Sequence, residues 1–328
     1  MSNRLPWLDK YLEGLNKDSL QHAFIIGGKE GVGKNNFSRT LSNFILCEQT
    51  LNKKACRKCQ SCKLFLSLNH PDFHLVSLED GKKKISINQI KELQSKFYES
   101  AFLGGNKVFL IESAEHMSND AIDSVLKILE EPPNNTFFLI TSHRLKQLPL
   151  TLQSRCSEIY IKSPTKKIIQ EWLIDEGLNI DNVALALDLA LGQPLKVKEL
   201  LEANLEASRN QFIKDISILI KEGKNIISLS EEWSKDSLPF TLKLEWMSNL
   251  MMDAIRFQNT KEQKNLMKDT SNISMYLGER TNFNILYDLL ISTNSLWSVF
   301  TDGTNLKSEY QLQKLFIDWE SKLGLSVR

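Results

Sequence analysis

The chain has 328 residues, more than one typical domain and suited to two or three. Lys and Arg number 41 against 40 Asp and Glu, which excludes a strongly basic stand-alone nucleic-acid binder but allows a local basic patch. No run approaches the roughly 20 apolar residues of a membrane span, and the N-terminus lacks the layout of a secretory signal, so a cytoplasmic protein is expected.

The first strand is expected over 23–26, a run of Ala, Phe and two Ile. Gly28-Lys29-Glu30-Gly31-Val32-Gly33-Lys34-Asn35 follows, and then a helix over 36–46. This is the phosphate-loop pattern G-x-x-x-x-G-K-[ST] between a strand and a helix N-terminus. There, Gly28, Gly31 and Gly33 let backbone N–H groups curl around phosphate oxygens and Lys34 neutralises charge. The last position fails: Asn35 stands where a hydroxyl would ligate Mg²⁺. The loop therefore marks a nucleotide-binding fold, while ATP or ADP binding is expected to be weak and Mg-dependent hydrolysis impaired.

Four of five cysteines then crowd together as Cys47-x8-Cys56-x2-Cys59-x2-Cys62. Overlapping C-x2-C steps bring thiolates onto one tetrahedral ion, and Cys47 arrives as fourth ligand from a helix end. A Cys₄ set is closed and structural. Zinc is the expected ion, and an iron–sulfur cluster is the competing occupant. Lys53, Lys54, Arg57, Lys58 and Lys63 surround the ligands with no acid among them, which offsets the negative charge of the centre. His70 and His74 read as structural, His70 opening a His-Pro-Asp turn.

Further strands are expected over 73–77, 107–112, 136–141 and 158–161, alternating with helices over 87–98 and 119–131. Short apolar runs separated by helices imply a parallel α/β sheet, with the cysteine module inserted into it. Ser118 is the expected N-cap of the second of these helices, and Pro132-Pro133 stop it. A hydrolysing P-loop enzyme needs an acidic strand end that holds Mg²⁺ and polarises water. Here that place is Glu112-Ser113, an acid of the wrong length followed by no carboxylate. Two weakened parts of one reaction point to lost hydrolysis. Ser154-Arg155-Cys156 precedes the last strand. An arginine there is by itself a surface charge or a salt-bridge partner, but guanidinium also suits phosphoryl charge across an interface.

Beyond 163 the chain turns helical. Gly192-Gln193-Pro194 breaks a small helical region, and a helix resumes over 196–203. Long amphipathic segments at 210–221, 242–258 and 312–323 follow, with Trp233, Trp246, Trp297 and Trp319 read as helix-bundle core. Charged clusters at 79–84 and 261–268 read as solvated loops or helix faces.

Taken together, the loop at 28–35, the cysteine spacing, His70-Pro71-Asp72, Leu129-Glu130-Glu131-Pro132-Pro133 and Ser154-Arg155-Cys156 resemble the AAA+ subunits of bacterial sliding-clamp loaders. The motifs cover about the first 165 residues and the layout covers the rest. The resemblance implies an α/β P-loop AAA+ domain over 1–163 with a zinc module at 47–62, a helical lid over 164–207, and an all-α collar over 208–328. The departures at Asn35 and Ser113 are those of a non-hydrolysing helper subunit. The resemblance then makes Arg155 a finger acting in trans on a neighbour's ATP. It implies as partners the other subunits of a hetero-oligomeric, pentameric loader and, through the complex, the sliding clamp and primed DNA. The lid's usual arginine would fall near 192–196, where Lys196 is the one cation. Rival readings are an active ATPase of the same family, a zinc-dependent nucleic-acid binder using Lys53 to Lys63, and a P-loop kinase.

Overall fold

The computed structural model describes residues 5–323 apart from 52, 80, 179–182, 204, 222–224, 237–238, 265 and 302–305. Parts of the charged clusters at 79–84 and 261–268 therefore lie outside the described residues. The chain divides into two compact units, 1–199 and 200–328.

In the first unit β1 (Ala23–Gly28), β2 (Phe73–Val76), β3 (Lys107–Ile111), β4 (Thr136–Ser142) and β5 (Ser157–Ile161) form one parallel sheet in the order β2-β3-β4-β1-β5. β1 and β3 are buried at every residue, as parallel strands covered on both faces must be. Side chains alternate between faces. Ile25, Phe109 and Phe138 accordingly share one core with Ile90 and Phe97 of α4 (Ile87–Tyr98) and with Val125 and Leu129 of α5 (Asn119–Glu130). The rings of Phe97 and Phe109 meet edge-on at 4.5 Å, and Phe109 stacks on Phe138 at 5.4 Å. This is the parallel α/β sheet that the alternating segments implied.

The helices before α4 are α1 (Asp9–Glu13), α2 (Lys34–Leu46) and α3 (Gln60–Leu66). α2 starts two residues earlier than expected, directly after Gly33, so Lys34 and Asn35 occupy its first turn. α3, in the cysteine module, carries no periodic signal; Cys59 caps it by accepting from the Cys62 N–H. α5 begins at the expected cap, where Ser118 Oγ accepts from the Ala121 N–H, and it ends before the proline pair. α6 (Leu150–Gln153), α7 (Lys166–Asp175), α8 (Val183–Leu189) and α9 (Pro194–Glu202) follow the sheet, so the segment expected as a lid falls largely in the first unit.

The second unit is all helical: α10 (Leu205–Lys221), α11 (Ile226–Ser234), α12 (Phe240–Thr260), α13 (Ser271–Arg280), α14 (Phe283–Thr301) and α15 (Ser308–Lys322). Trp233, Trp246 and Trp319 are fully buried around Phe212 and Phe316, as expected. Trp297 is only half-buried, its Nε1 donating to Glu245 at 3.1 Å. A buried Arg209 lies between the rings of Phe212 and Trp246 and pairs with Asp269 at 2.8 Å, an arrangement with no helical periodicity to announce it.

Candidate functional site

The glycine loop joins β1 to α2 at the carboxyl ends of the strands, where α/β sheets bind ligands. Gly31 (φ +68°) and Gly33 (φ +93°) adopt conformations that side chains resist. They are also roofed by this chain's own residues. A Cβ at Gly31 would lie 2.9 Å from Cβ of Gln193, and one at Gly33 would collide with Leu5. The Leu195 N–H donates to the Gly31 carbonyl at 3.0 Å, and Trp7 Nε1 donates to the Val32 carbonyl at 2.9 Å. Lys34 bends back so that Nζ donates to the Lys29 carbonyl at 2.8 Å. Burial lowers the Lys34 pKa, with the carboxylates of Glu115 and Glu30 opposing that shift.

Asn35 is part of a closed polar chain. Thr141 Oγ1 donates to Asn35 Oδ1 at 3.2 Å while accepting from the Ser113 N–H at 3.0 Å. The residue standing for the metal-binding hydroxyl thereby links α2 to the ends of β3 and β4. Glu112, the degenerate acidic strand end, is held at 3.0 Å by Arg39 Nε of α2. Glu115, which spacing alone could not place, is brought beside Lys34 with its side chain 2% exposed and 2.5 Å from His143 Nδ1. Burial pushes its carboxyl upward, but the contacts with His143 and Ser142 outweigh that and leave it at about 2.

Arg155 lies elsewhere. β5 pairs Ser157 with Phe24 and Ile161 with Gly28. Arg155 therefore stands at the start of the strand whose far end meets the phosphate loop, on the order of 15 Å away along the strand. Its guanidinium contacts Glu130 Oε1 at 2.6 Å and donates to the Thr151 carbonyl at 2.8 Å. The Leu-Glu-Glu-Pro-Pro helix end and the Ser-Arg-Cys turn, apart in sequence, are thus joined by an ion pair.

The cysteine module forms the second element. The Sγ atoms of Cys47, Cys56, Cys59 and Cys62 all lie within 4.8 Å of one another, so the set can hold a metal ion. Thiolates about 2.3 Å from a tetrahedral ion would stand roughly 3.8 Å apart, close to the 4.0 Å between Cys56 and Cys62. Backbone N–H groups point at the sulfurs: Cys56 N–H at Cys47 (3.2 Å), Lys58 and Cys59 N–H at Cys56 (3.4 and 3.3 Å), and Cys62 N–H at Cys59 (3.4 Å). The bonds from Lys58 and Cys59 bring the Cys56 thiol down to about 6, whereas burial raises Cys47 and Cys62. A bound cation offsets such burial.

His70 and His74 are structural, as expected. His70 Nδ1 accepts from the Asp72 N–H at 3.1 Å and Nε2 meets Ser61 Oγ at 2.9 Å, which ties α3 to the sheet. His74 stacks on Phe109, and burial pulls it down to about 4. One basic residue of the module does meet an acid, which comes from α1: Lys54 pairs with Asp9 at 3.1 Å, while Lys53 donates to the backbone carbonyl of Glu13 at 2.6 Å.

Residues 7–165 match the family described as DNA polymerase III, delta subunit, and residues 203–321 match DNA polymerase III, delta subunit, C terminal. The chain is 28% identical to DNA polymerase III subunit delta' of Yersinia pestis, covering 98% of this chain and 97% of that one. It is 29% identical to the subunit delta' of Escherichia coli, covering 76% of each. Among solved structures, a gamma subunit-related protein from Thermotoga maritima aligns over 98% of this chain and 100% of that one, with 16% identity and a TM-score of 0.44. No helix among the described residues is long and apolar enough to cross a membrane.

Proposed function

Since the chain belongs to the DNA polymerase III delta-subunit family and matches delta' subunits across its length, we propose that it is the non-hydrolysing member of its clamp loader. One observation carries this reading: the residues that would serve a nucleotide are committed to contacts within the chain. Gln193 packs against Gly31, Leu5 against Gly33, Lys34 is turned onto Lys29, and Asn35 Oδ1 accepts from Thr141. Lys34 would have to leave Lys29 to meet a phosphate, and Glu112 would have to release Arg39 before approaching a metal. The loop serves instead as a structural joint between β1, α2, the N-terminal segment and the lid.

Arg155 supplies the catalytic contribution. It is half-exposed at the sheet end remote from its own loop, so a guanidinium there serves a neighbour's γ-phosphate rather than its own. Cys47, Cys56, Cys59 and Cys62 would hold zinc, which supplies a structural cross-link and no reaction step. The AAA+ domain over 1–163, lid over 164–207 and collar over 208–328 remain the working division. Partners are the other loader subunits and, through them, the clamp and primed DNA.

The test is nucleotide binding and turnover by the purified chain beside the reconstituted loader. The isolated chain should bind a fluorescent ATP analogue no better than its Lys34→Ala variant and should show no turnover. Mg-dependent hydrolysis that vanishes in Lys34→Ala would refute the reading.

A further inference from the structure

A cavity of about 740 Å³ lies between the N-terminal segment, α2 and the cysteine module, with its end at Leu5, Leu8 and Asn36 adjoining the phosphate loop. Its size falls within the roughly 300–1,000 Å³ of ligand sites. Two exposed features of its wall demand different chemistry from one occupant.

Asn43 of α2 lines the cavity at 7% exposure, and its Oδ1 has no hydrogen-bond partner. That oxygen is itself closed to solvent, so Asn43 belongs to the inner floor and makes no contact with an occupant. Arg57 stands exposed on the wall without an ion-pair partner among the described residues, whereas Arg39 and Lys54 are engaged by Glu112 and Asp9. Positions 53–63 hold Lys53, Lys54, Arg57, Lys58 and Lys63 and no acid. The second feature is apolar: Leu66 of α3 lines the cavity at 59% exposure, and Leu68 just beyond is 76% exposed at φ +60°.

We propose that this groove receives an extended segment of a partner protein that combines acidic and apolar side chains. A carboxylate of the segment meets Arg57, and an apolar side chain covers Leu66. Charge complementarity favours an anionic occupant. A phosphate backbone is the poorer match, because it would leave Leu66 uncovered. Lys54, Ala55 and Arg57 lie between the metal-ligating cysteines, so the module shapes one wall of the groove.

The experiment uses the full chain with zinc bound and a fluorescein-labelled dodecapeptide of alternating glutamate and leucine, read by anisotropy. The comparison probes are a polyglutamate dodecamer and an oligothymidylate. The alternating peptide should bind best, about tenfold more weakly in Arg57→Glu and in Leu66→Asp, and unchanged in Phe102→Asp, an 81% exposed aromatic outside the groove. The substituted side chains are exposed, and unchanged circular-dichroism melting verifies folding. Equal peptide affinity in wild type and both groove variants would overturn the proposal. Oligothymidylate binding stronger than peptide binding and lost in Arg57→Glu would reassign the groove to nucleic acid. Sedimentation showing self-association that Leu66→Asp abolishes would reassign it to a second copy of the chain.

Discussion

Replacing Arg155 by alanine should separate stability from activity. In the isolated chain the guanidinium bonds Glu130 at 2.6 Å and the Thr151 carbonyl, with the two charged side chains 33% and 53% exposed. An ion pair this exposed contributes at most about 1 kcal/mol. The melting temperature should therefore fall by only about 2–4 °C. An arginine acting on a neighbour's γ-phosphate is worth about 10³ or more in turnover at the site it serves. The loader carrying Arg155→Ala should thus assemble normally and lose DNA-stimulated hydrolysis at that site. Glu130→Ala supplies the opposite arm. If Arg155 must leave Glu130 to reach the neighbour, removing the acid should leave turnover unchanged or raise it by up to about fivefold, the equivalent of 1 kcal/mol. The assays are calorimetric melting of the single chain and ATP turnover by the loader with primed DNA and clamp. Unchanged turnover in Arg155→Ala would refute the reasoning, as would a melting loss large enough to explain the defect.

Asn35→Thr, which restores the missing hydroxyl, should confer no ATP turnover on the isolated chain, because Glu112 stays paired with Arg39 and Ser113 supplies no carboxylate to activate water; measurable Mg-dependent turnover would contradict this. Metal analysis should find about one zinc per chain, and Cys59→Ser should lower both the metal content and the melting temperature, since structural zinc contributes folding free energy directly. Glu115→Gln should destabilise the chain by about 1–3 kcal/mol at neutral pH. The folded carboxyl sits at about 2, below its ordinary 4.5, so its stabilisation is present above about pH 4.5 and is lost as pH falls toward 2. Wild-type and Glu115→Gln urea midpoints should therefore converge on acidification across that window; a constant gap would show that the charge is not the cause.

Parts of the molecule are written in single segments of sequence. The glycine spacing at 28–35, the apolar runs of β1, β3 and β4, the Ser118 cap and proline stop of α5, and the cysteine ligand spacing each depend on neighbours a few positions away. Backbone conformation, period and coordination geometry act over that range, so these features were legible directly. Sequence pattern does not single out α3, α8, α11, α13 or the longer α14, because they are short or only weakly periodic and are held by what they pack against. Trp297 carries the same apolar signal as Trp233, yet it ends half-buried because its indole meets Glu245, 52 positions away.

What decides the chemistry of the loop is non-local. The sequence by itself determined that Asn35 lacks the metal-binding hydroxyl and that Glu112-Ser113 is a poor acidic strand end. It did not determine what those residues do instead. Asn35 meets Thr141 across 106 positions and Arg39 meets Glu112 across 73, contacts that exist because the parallel register of β1, β3 and β4 brings their carboxyl ends together. Gln193 over Gly31, Leu5 over Gly33 and Asp9 on Lys54 likewise join segments with no shared pattern. The same holds for the groove, whose walls at Leu8, Phe44 and Arg57 come from three separate segments of the chain. Local rules set which parts the chain has, and tertiary packing decided which partners the residues of the loop meet.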